Sequence, residues 1–333
     1  MKAIISGVSG QDGYFLAELL LWKGYEVHGI VRRKANVDLG HVKAFEDQVT
    51  FHYADVTDDK AINQIVSEVK PDELYHLAAQ SFVPYSFTNP VYTFQVNVFG
   101  TLNFLNAVKE YSPRTRMFNA ATSEMFGLYS GTDGINEETP TSPVSPYGVS
   151  KGAAFNLCRI YRAAYNLHVS SAMSFNHESE VRGGEFLTRK VVKRAVNMMK
   201  NRSSPPMFLG NLEARRDWGY AGDYVQAYHL MLQQGNPDDY VIATGEQHSV
   251  REFVDEVFSY LGEPIHWDAN DTGRNNDGRV LVETADYYKR PIDVNNLKGN
   301  PAKIRERLGW EPTMKFKDIV KLMVDAEMDQ PAD

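Results

Sequence analysis

Lys2-Ala-Ile-Ile-Ser6, then Gly7-Val-Ser-Gly10-Gln-Asp-Gly13, then Tyr14-Phe-Leu-Ala-Glu-Leu-Leu-Leu-Trp22 read as an apolar strand, a glycine turn and a helix with no spacer between them. That context is what gives a glycine motif meaning. Gly7 permits the tight turn, Gly10 lets a pyrophosphate approach the backbone, and Gly13 lets the helix pack close to the sheet. Phosphates would sit at the positive helix N-terminus. The spacing is Gly-x-x-Gly-x-x-Gly, distinct from Gly-x-Gly-x-x-Gly, and it predicts the first βα unit of a Rossmann-like sheet.

Outward from that unit the βα alternation continues. Tyr25 to Val31 is a second strand and ends in Arg32-Arg33-Lys34. Arginines at this strand end suit the 2′-phosphate of NADP, where a carboxylate would suit NAD. Val49 to Ala54 is a third strand, followed by Asp55, which could hydrogen-bond an adenine amino group. Ile62, Ile65, Val66 and Val69 mark a helix over 60–69, and Pro71 to Gln80 a fourth strand. Ala78 and Ala79 there leave room for a flat ligand. Pro90 to Lys109 reads as a long helix with Val96, Phe99, Leu102 and Leu105 at core spacing. Thr115 to Ala121, a helix around Tyr147 and a strand over 167–174 complete a six- or seven-stranded parallel sheet. The class is α/β, doubly wound. From Phe175 the pattern loosens into short helices (186–199, 223–234, 250–261, 316–323), with Pro205-Pro206 and residues 268–278 as loops. The expected division is a cofactor-binding domain with the catalytic residues over 1–174. Residues 175–333 form a smaller, mainly substrate-binding α/β domain interleaved with the end of the sheet.

Open α/β sheets bind ligands at the carboxyl ends of their strands, and there the fifth strand delivers Thr122, Ser123 and Glu124. Further on, Tyr147 and Lys151 are four residues apart on one helix face. An ammonium lowers the pKa of a neighbouring phenol, and such a phenol can take a proton from a sugar hydroxyl as hydride leaves the same carbon. The pair alone is a weak signal, because both residues are common on helix surfaces. A reductase or 4-epimerase needs Thr122, Tyr147 and Lys151 but no further carboxylate; a dehydratase needs one. Glu124, two positions after Thr122 on the same strand-end face, would supply it.

Composition sets the outer bounds. A net charge of −8 without a basic run argues against nucleic acid or an anionic membrane surface. An anionic ligand would need local arginines. The single cysteine, Cys158, excludes an internal disulfide framework and reads as a core residue in a reducing compartment. The nine histidines show no paired metal-ligand spacing, so no metal is expected. The N-terminal apolar run is too short for a signal peptide and no run reaches transmembrane length, so a cytoplasmic protein is expected.

With these residues in view, the chain resembles the extended short-chain dehydrogenase/reductase superfamily and, within it, the GDP-mannose 4,6-dehydratase family, over nearly its whole length. The more specific motifs are Ser6-Gly-Val-Ser-Gly-Gln-Asp-Gly13, Leu77-Ala-Ala-Gln-Ser81, Thr122-Ser-Glu-Met-Phe-Gly127, Phe175-Asn-His-Glu-Ser179, Thr188-Arg-Lys190, the run from Leu209 to Gly219, Val241 to Glu246, His248 to Phe253 and Arg290-Pro291. The resemblance implies that hydride leaves C4 of the hexose for a tightly bound NADP. Tyr147 takes the 4-hydroxyl proton, Lys151 keeps Tyr147 acidic, and Thr122 hydrogen-bonds the 4-oxygen. Glu124 then removes the C5 proton, water leaves C6 with help from Glu124 and Ser123, and hydride returns to C6. The implied product of GDP-mannose is GDP-4-keto-6-deoxymannose.

The same resemblance places cofactor contacts on the glycine turn (Gly7, Gly10, Gln11, Asp12, Gly13) and on Arg32, Arg33, Asp55 and Val56. It adds Leu77, Ala78, Ala79, Gln80 and Ser81, then Tyr92, Tyr147, Lys151, His177 and Arg182. Ser81, Thr122, Glu124, Tyr147, Asn176, Lys190, Arg216 and Arg290 would hold the sugar nucleotide. It implies a homodimer or homotetramer. The chain departs from the family pattern at three places. Glu180-Val181-Arg182-Gly183 stands for Pro-Arg-Arg-Gly, Phe82 for a histidine, and 34–38 for a serine-rich segment that in the family reaches a neighbouring subunit. These departures leave a related GDP-linked sugar, such as a GDP-heptose, as an alternative substrate, and a 4-epimerase or 4-reductase as an alternative activity.

Overall fold

The opening unit folds as β1 (Lys2–Ser6) and α1 (Gln11–Trp22). The computed structural model describes residues 1–32, 38–129, 133–288, 292, 294 and 296–330. Arg33 and Arg290, and residues 34–37, lie outside them. The first half continues through β2 (Glu26–Val31), β3 (Val49–Tyr53), α2 (Asp59–Val69), β4 (Glu73–His76), α3 (Val83–Thr88), α4 (Pro90–Phe94) and α5 (Gly100–Tyr111). It ends with β5 (Arg116–Ala120), α6 (Pro146–Tyr165) and β6 (Val169–Ser174). Beyond it come β7 (Asn176–Glu178), α7 (Leu187–Lys200), β8 (Met207–Leu209), β9 (Arg215–Arg216), β10 (Trp218–Tyr220), α8 (Ala221–Leu232) and β11 (Tyr240–Ile242). The chain closes with β12 (His248–Ser249), α9 (Val250–Tyr260), β13 (His266–Trp267), β14 (Gly273–Arg274), β15 (Val280–Thr284), β16 (Asn296–Leu297), α10 (Ala302–Leu308) and α11 (Phe316–Met328).

Seven parallel strands form the central sheet in the order β11-β6-β5-β4-β1-β2-β3. The direction of winding reverses between β1 and β4, which opens a crevice at their carboxyl ends. Both sheet faces are covered, and accordingly β1, β4 and β6 are apolar or buried along nearly their whole length rather than alternating. On one face Phe15, Leu16 and Leu20 of α1 pack with Tyr224, Tyr228 and Leu232 of α8. On the other, Ile62 and Val66 of α2 meet Phe104, Leu105 and Val108 of α5, and Cys158 of α6 closes the layer. Burial pushes the Cys158 thiol up to about 12, with the Asp239 charge adding to it, so it behaves as a small apolar side chain. The seventh strand, β11, and the covering helix α8 both come from beyond residue 175. A separate core joins α7, α9 and α11 through Val192, Phe253, Val257 and Met323.

The long helix expected over 90–109 is present but not straight in phase. Residues Gln95–Phe99 form a π-helical turn between α4 and α5. The wider turn rotates the apolar stripe, so Val96 and Leu105 are buried while Phe99 is 55 % exposed. Helix α6, which carries Tyr147 and Lys151, starts cleanly: Pro146 occupies its first turn and the Ser145 hydroxyl accepts the Gly148 N–H at 3.0 Å. It stops at Asn166 in the left-handed region, φ 53°.

His76, at the end of β4, is a core histidine. Its Nδ1 faces the Ser6 hydroxyl at 2.8 Å and its Nε2 the Thr101 hydroxyl at 3.1 Å. Burial, reinforced by the Lys151 charge, pulls its pKa down to about 3. Between that value and an unfolded pKa of about 6.5 the unfolded chain binds the extra proton, so stability rises with pH across the window and is lost as pH falls. The loss should approach about 1.4 kcal/mol per pH unit below 6.5. The half-buried His168, lowered to about 4, acts in the same direction, while His177, raised by its partner Asp12, opposes it. Urea unfolding at pH 7.0, 6.0 and 5.0 should show a falling midpoint, and His76→Gln should flatten the slope.

Candidate active site

At the carboxyl ends of β1, β4 and β5 lies a cavity of about 790 Å³ that runs from the glycine turn to the β9 arginine. Its floor is the opening βα unit. Gly7 has φ +75°, and a Cβ there would meet the Ala78 nitrogen at 2.8 Å. At Gly13 a Cβ would meet the Gly7 carbonyl oxygen at 2.4 Å. Gly10 caps α1 without a side-chain hydrogen bond, so the first turn of the helix presents its N–H groups at the cavity wall. A flat nucleotide with a pyrophosphate fits this donor set.

The walls assemble most of the residues singled out in the sequence. Gly7, Gly10, Gln11, Asp12, Gly13, Arg32, Asp55, Val56, Leu77, Ala78, Ala79, Ser81 and Tyr92 all line the cavity. The Arg32 guanidinium donates to the Tyr92 hydroxyl at 2.7 Å. Asp55 is turned onto its own loop, accepting the Thr57 amide at 3.0 Å and hydroxyl at 2.8 Å. Gln80 is placed differently: it does not line the cavity. Its amide bridges Thr93 Oγ1 at 3.0 Å and the Phe82 N–H at 2.8 Å, which fixes the loop after β4.

Thr122, Ser123, Glu124, Tyr147 and Lys151 converge at the inner end, all buried. Thr122 and Glu124 do not share a strand face. β5 ends at Ala120, and Thr122 caps a 3₁₀ turn over Ser123–Met125 by accepting the Glu124 N–H at 3.3 Å. The turn, not the pleat, brings the carboxylate beside the phenol. The Lys151 ammonium donates to the Ala120 carbonyl at 2.7 Å, and burial pulls its pKa down to about 8. The expected lowering of the phenol by Lys151 is not found in the protein by itself. Burial dominates and pushes Tyr147 up to about 12; the Thr122 hydrogen bond lowers it, the Glu124 charge raises it and Arg182 lowers it.

One residue of this arrangement was invisible in the sequence. Asn97, in the π-helical turn and 1 % exposed, accepts the Gln80 N–H at 2.8 Å and donates to the Gln80 carbonyl at 3.1 Å and the Ser150 hydroxyl at 3.0 Å. Ser150 in turn donates to the Tyr147 carbonyl at 2.7 Å. Asn97 thus ties the loop after β4 to the helix that carries Tyr147 and Lys151. Asn97→Ala should destabilise the fold by about 3 kcal/mol, measured by urea unfolding, since it orphans buried partners on two elements.

The Phe175-Asn-His-Glu-Ser179 segment closes the opposite wall. His177 Nε2 lies 2.9 Å from an Asp12 oxygen, its Nδ1 2.7 Å from the Phe175 carbonyl, and its ring stacks on Tyr224. Burial alone would neutralise both groups, but their mutual attraction outweighs it: Asp12 lies below the usual carboxylate range and His177 above the usual imidazole range. Arg182 lines the cavity but pairs with the buried Glu178 at 3.0 Å and lies over the Phe186 ring at 3.7 Å. Glu180 is not part of the cavity wall; its charge is felt by Tyr14 and Tyr220, on the α1 side. Val181 packs against the α1 core.

At the outer end stand Asn176, Lys190 and Arg216. Arg216 is held in a small three-stranded sheet, β12-β9-β16, and donates to the Val294 carbonyl at 2.6 Å. The Lys190 ammonium sits 3.9 Å above the Tyr288 ring, and burial lowers its pKa. Phe208 and Tyr288, not singled out in the sequence, also line this end; isolated aromatics in a loop-rich region carry no periodic signal. Among the described residues no group of three or more His, Cys, Asp or Glu could hold a metal ion, and no helix is long and apolar enough to cross a membrane.

Comparison with known proteins agrees with this geometry. Among solved structures, the UDP-glucose 4-epimerase of Thermus thermophilus in complex with NAD superposes with a TM-score of 0.83 at 25 % identity, covering 99 % of each chain. RMD from Pseudomonas aeruginosa, complexed with NADPH, gives 0.78 at 20 % identity over 99 % of each chain, a likeness of fold. In sequence, GDP-mannose 4,6 dehydratase 2 of Arabidopsis thaliana is 44 % identical over 98 % of this chain and 87 % of its own length. The human GDP-mannose 4,6 dehydratase is 42 % identical over 98 % and 91 %, and that of Vibrio cholerae 40 % over 97 % and 92 %. The sequence model of the GDP-mannose 4,6 dehydratase family matches residues 4–323. On these matches, spanning both the glycine turn and the far arginine wall, the chain belongs to the GDP-mannose 4,6-dehydratase family.

Proposed function

We propose that this chain dehydrates GDP-mannose to GDP-4-keto-6-deoxymannose, with NADP as its resident cofactor. The observation that carries the reading is the buried Glu124 carboxylate held on the 3₁₀ turn beside Tyr147, which an epimerase or reductase would not need. The glycine turn, Arg32, Leu77, Ala78, Ala79 and Ser81 would hold a nicotinamide nucleotide, which would supply the hydride acceptor and donor and be unchanged over a full cycle. Tyr147 takes the proton of the 4-hydroxyl, and Thr122 Oγ1 holds the same oxygen. The Lys151 ammonium, close to its working range at about 8, supplies positive charge to the phenolate side. Glu124 takes the C5 proton, made acidic by the 4-ketone, and passes a proton to the departing 6-hydroxyl, with Ser123 beside it. Arg216 and Lys190 offer the outer wall's cations to a pyrophosphate, and Asn176 a neutral hydrogen-bonding group.

Arg32 at the end of β2 supports NADP over NAD. Val91, Phe99 and Ile160, exposed on the adjoining helices from α4 to α6, support a homodimer or homotetramer. The lone buried thiol supports a cytoplasmic setting. The test is mass spectrometry of GDP-mannose incubated with the purified protein. Loss of one water from the sugar nucleotide without net reduction of nicotinamide is the expected result. Unchanged GDP-mannose from protein that binds the cofactor would overturn the substrate and point to a GDP-heptose.

A further inference from the structure

The ribose end of the cavity, beyond β2, carries charges of both signs. Arg32 lines it from the end of β2, and Asp38 lines it from the segment that returns after β2. Asp38 is not loosely placed. Its carboxylate accepts the Gly40 N–H at 2.8 Å, and Gly40 has φ +55°, with the Ser9 carbonyl oxygen 2.7 Å from where a Cβ would stand. Residues 38–40 therefore lie directly against the glycine turn. The 3₁₀ turn that follows, Gly40–Phe45, is anchored on α1 by the fully buried Val42 and by Phe45 stacked on Tyr14 at 5.6 Å. Among the described residues Asp38 takes that one hydrogen bond and pairs with no cation. One of its oxygens is thus committed to the turn, and the carboxylate's charge stays at the exposed edge of the cavity.

An acidic side chain at this end of such a sheet accepts the hydroxyls of an unphosphorylated ribose, and an arginine accommodates a 2′-phosphate. Both are present here. We propose that Asp38 is a cofactor-selecting residue: lining the same cavity as Arg32, it repels a 2′-phosphate and receives a ribose hydroxyl, so that the cavity accepts NAD as well as NADP. The proposal rests on the nicotinamide cofactor reading given above and narrows it, since the preference set by Arg32 becomes a graded one. The repulsion is between an exposed carboxylate and a phosphate, so it is screened and modest, about tenfold in relative affinity.

The variant that isolates the charge is Asp38→Asn, because an amide oxygen still accepts the Gly40 N–H. Full-length protein, wild type and variant, is equilibrated with equal concentrations of NADH and NADPH, freed of excess nucleotide, and the bound nucleotides are counted by mass spectrometry. Wild type should hold both, and Asp38→Asn should shift the bound ratio toward NADPH by about tenfold. Raising the salt concentration should shrink the difference. A ratio that is the same in both proteins within about twofold, or NADPH alone bound by both, overturns the selecting role while leaving the cofactor reading intact. Neither nucleotide bound by wild type overturns the cofactor reading itself and the selecting role with it.

Discussion

Glu124→Gln should lower the rate of water loss from the sugar nucleotide by about 10³-fold while the protein retains its bound nicotinamide nucleotide, the range spanned by removing a general acid–base. Glutamine matches glutamate in shape, and the contact that fixes this turn, Glu124 N–H to Thr122 Oγ1 at 3.3 Å, is made by the main chain and survives. On the proposed role, what is lost is the capacity to take the C5 proton. The substitution should also move Tyr147. The Glu124 charge raises the phenol, so its removal should shift the pH dependence of C4 oxidation to lower pH. Retained oxidation with lost elimination, read from single-turnover mass spectra, would identify the residue as the elimination base. Loss of nucleotide binding in parallel would make Glu124 a structural group and would sink the assignment.

Gly13→Ala should be the most damaging of the small substitutions. A Cβ at this position would meet the Gly7 carbonyl oxygen at 2.4 Å, the Val8 Cα at 2.5 Å and the Val8 carbonyl carbon at 2.6 Å. All three are backbone, and none can yield without pulling β1 out of a ladder fixed on both sides by β2 and β4. A cost of about 3 kcal/mol or more is expected from forced overpacking, with loss of nucleotide binding in whatever folds. Gly152→Ala is the matched control. It lies in α6, no atom stands within 4 Å of the place its Cβ would take, and the change should be neutral or stabilise by up to about 1 kcal/mol. Equal thermal stabilities for the two variants would refute the close-packing account.

Much of this architecture was legible in the chain because β1 to β6 and the main helices have strong local signatures. Buried strands are short apolar runs, α2 has clear periodicity at Ile62, Ile65, Val66 and Val69, and a glycine turn joins β1 to α1. The cluster proposed as catalytic was legible for a related reason: Thr122 to Glu124 and Tyr147 to Lys151 are compact motifs at a strand end and on a helix face. Less was readable where function depends on phase or on partners distant in sequence. The π-helical turn at 95–99 breaks the periodicity on which Phe99 was placed, and the polar group it delivers, Asn97, stands between Val96 and Val98 with no spacing that marks it out from the helix's other polar residues. The pKa of Tyr147 could not be read from the Lys151 spacing, because burial outweighs a neighbour four residues away. Gln80 matches its motif but turns inward to Thr93 and Phe82. Glu180 lies away from the cavity wall, where its charge is felt by Tyr14 of α1 and Tyr220 of β10, residues distant from it in sequence.

The strand β11 at residues 240–242 has a consequence for biosynthesis. Until it emerges from the ribosome, β6 presents an open edge, an invitation to pair with another chain. The Arg162 guanidinium on α6, the helix of Tyr147 and Lys151, likewise waits for Asp239, to which it binds at 3.0 and 2.5 Å. Trp310, whose indole N–H donates to the Asp223 carbonyl at 2.9 Å, arrives later still. A nascent chain that has completed the glycine turn, Tyr147 and Lys151 therefore carries the inner end of the cavity in an unfinished sheet, without the later wall of Asn176, His177, Lys190 and Arg216. Translation must run through nearly three quarters of the sequence, to β11, before that inner end is held in place, and a stall short of it leaves a sticky fragment rather than a smaller enzyme.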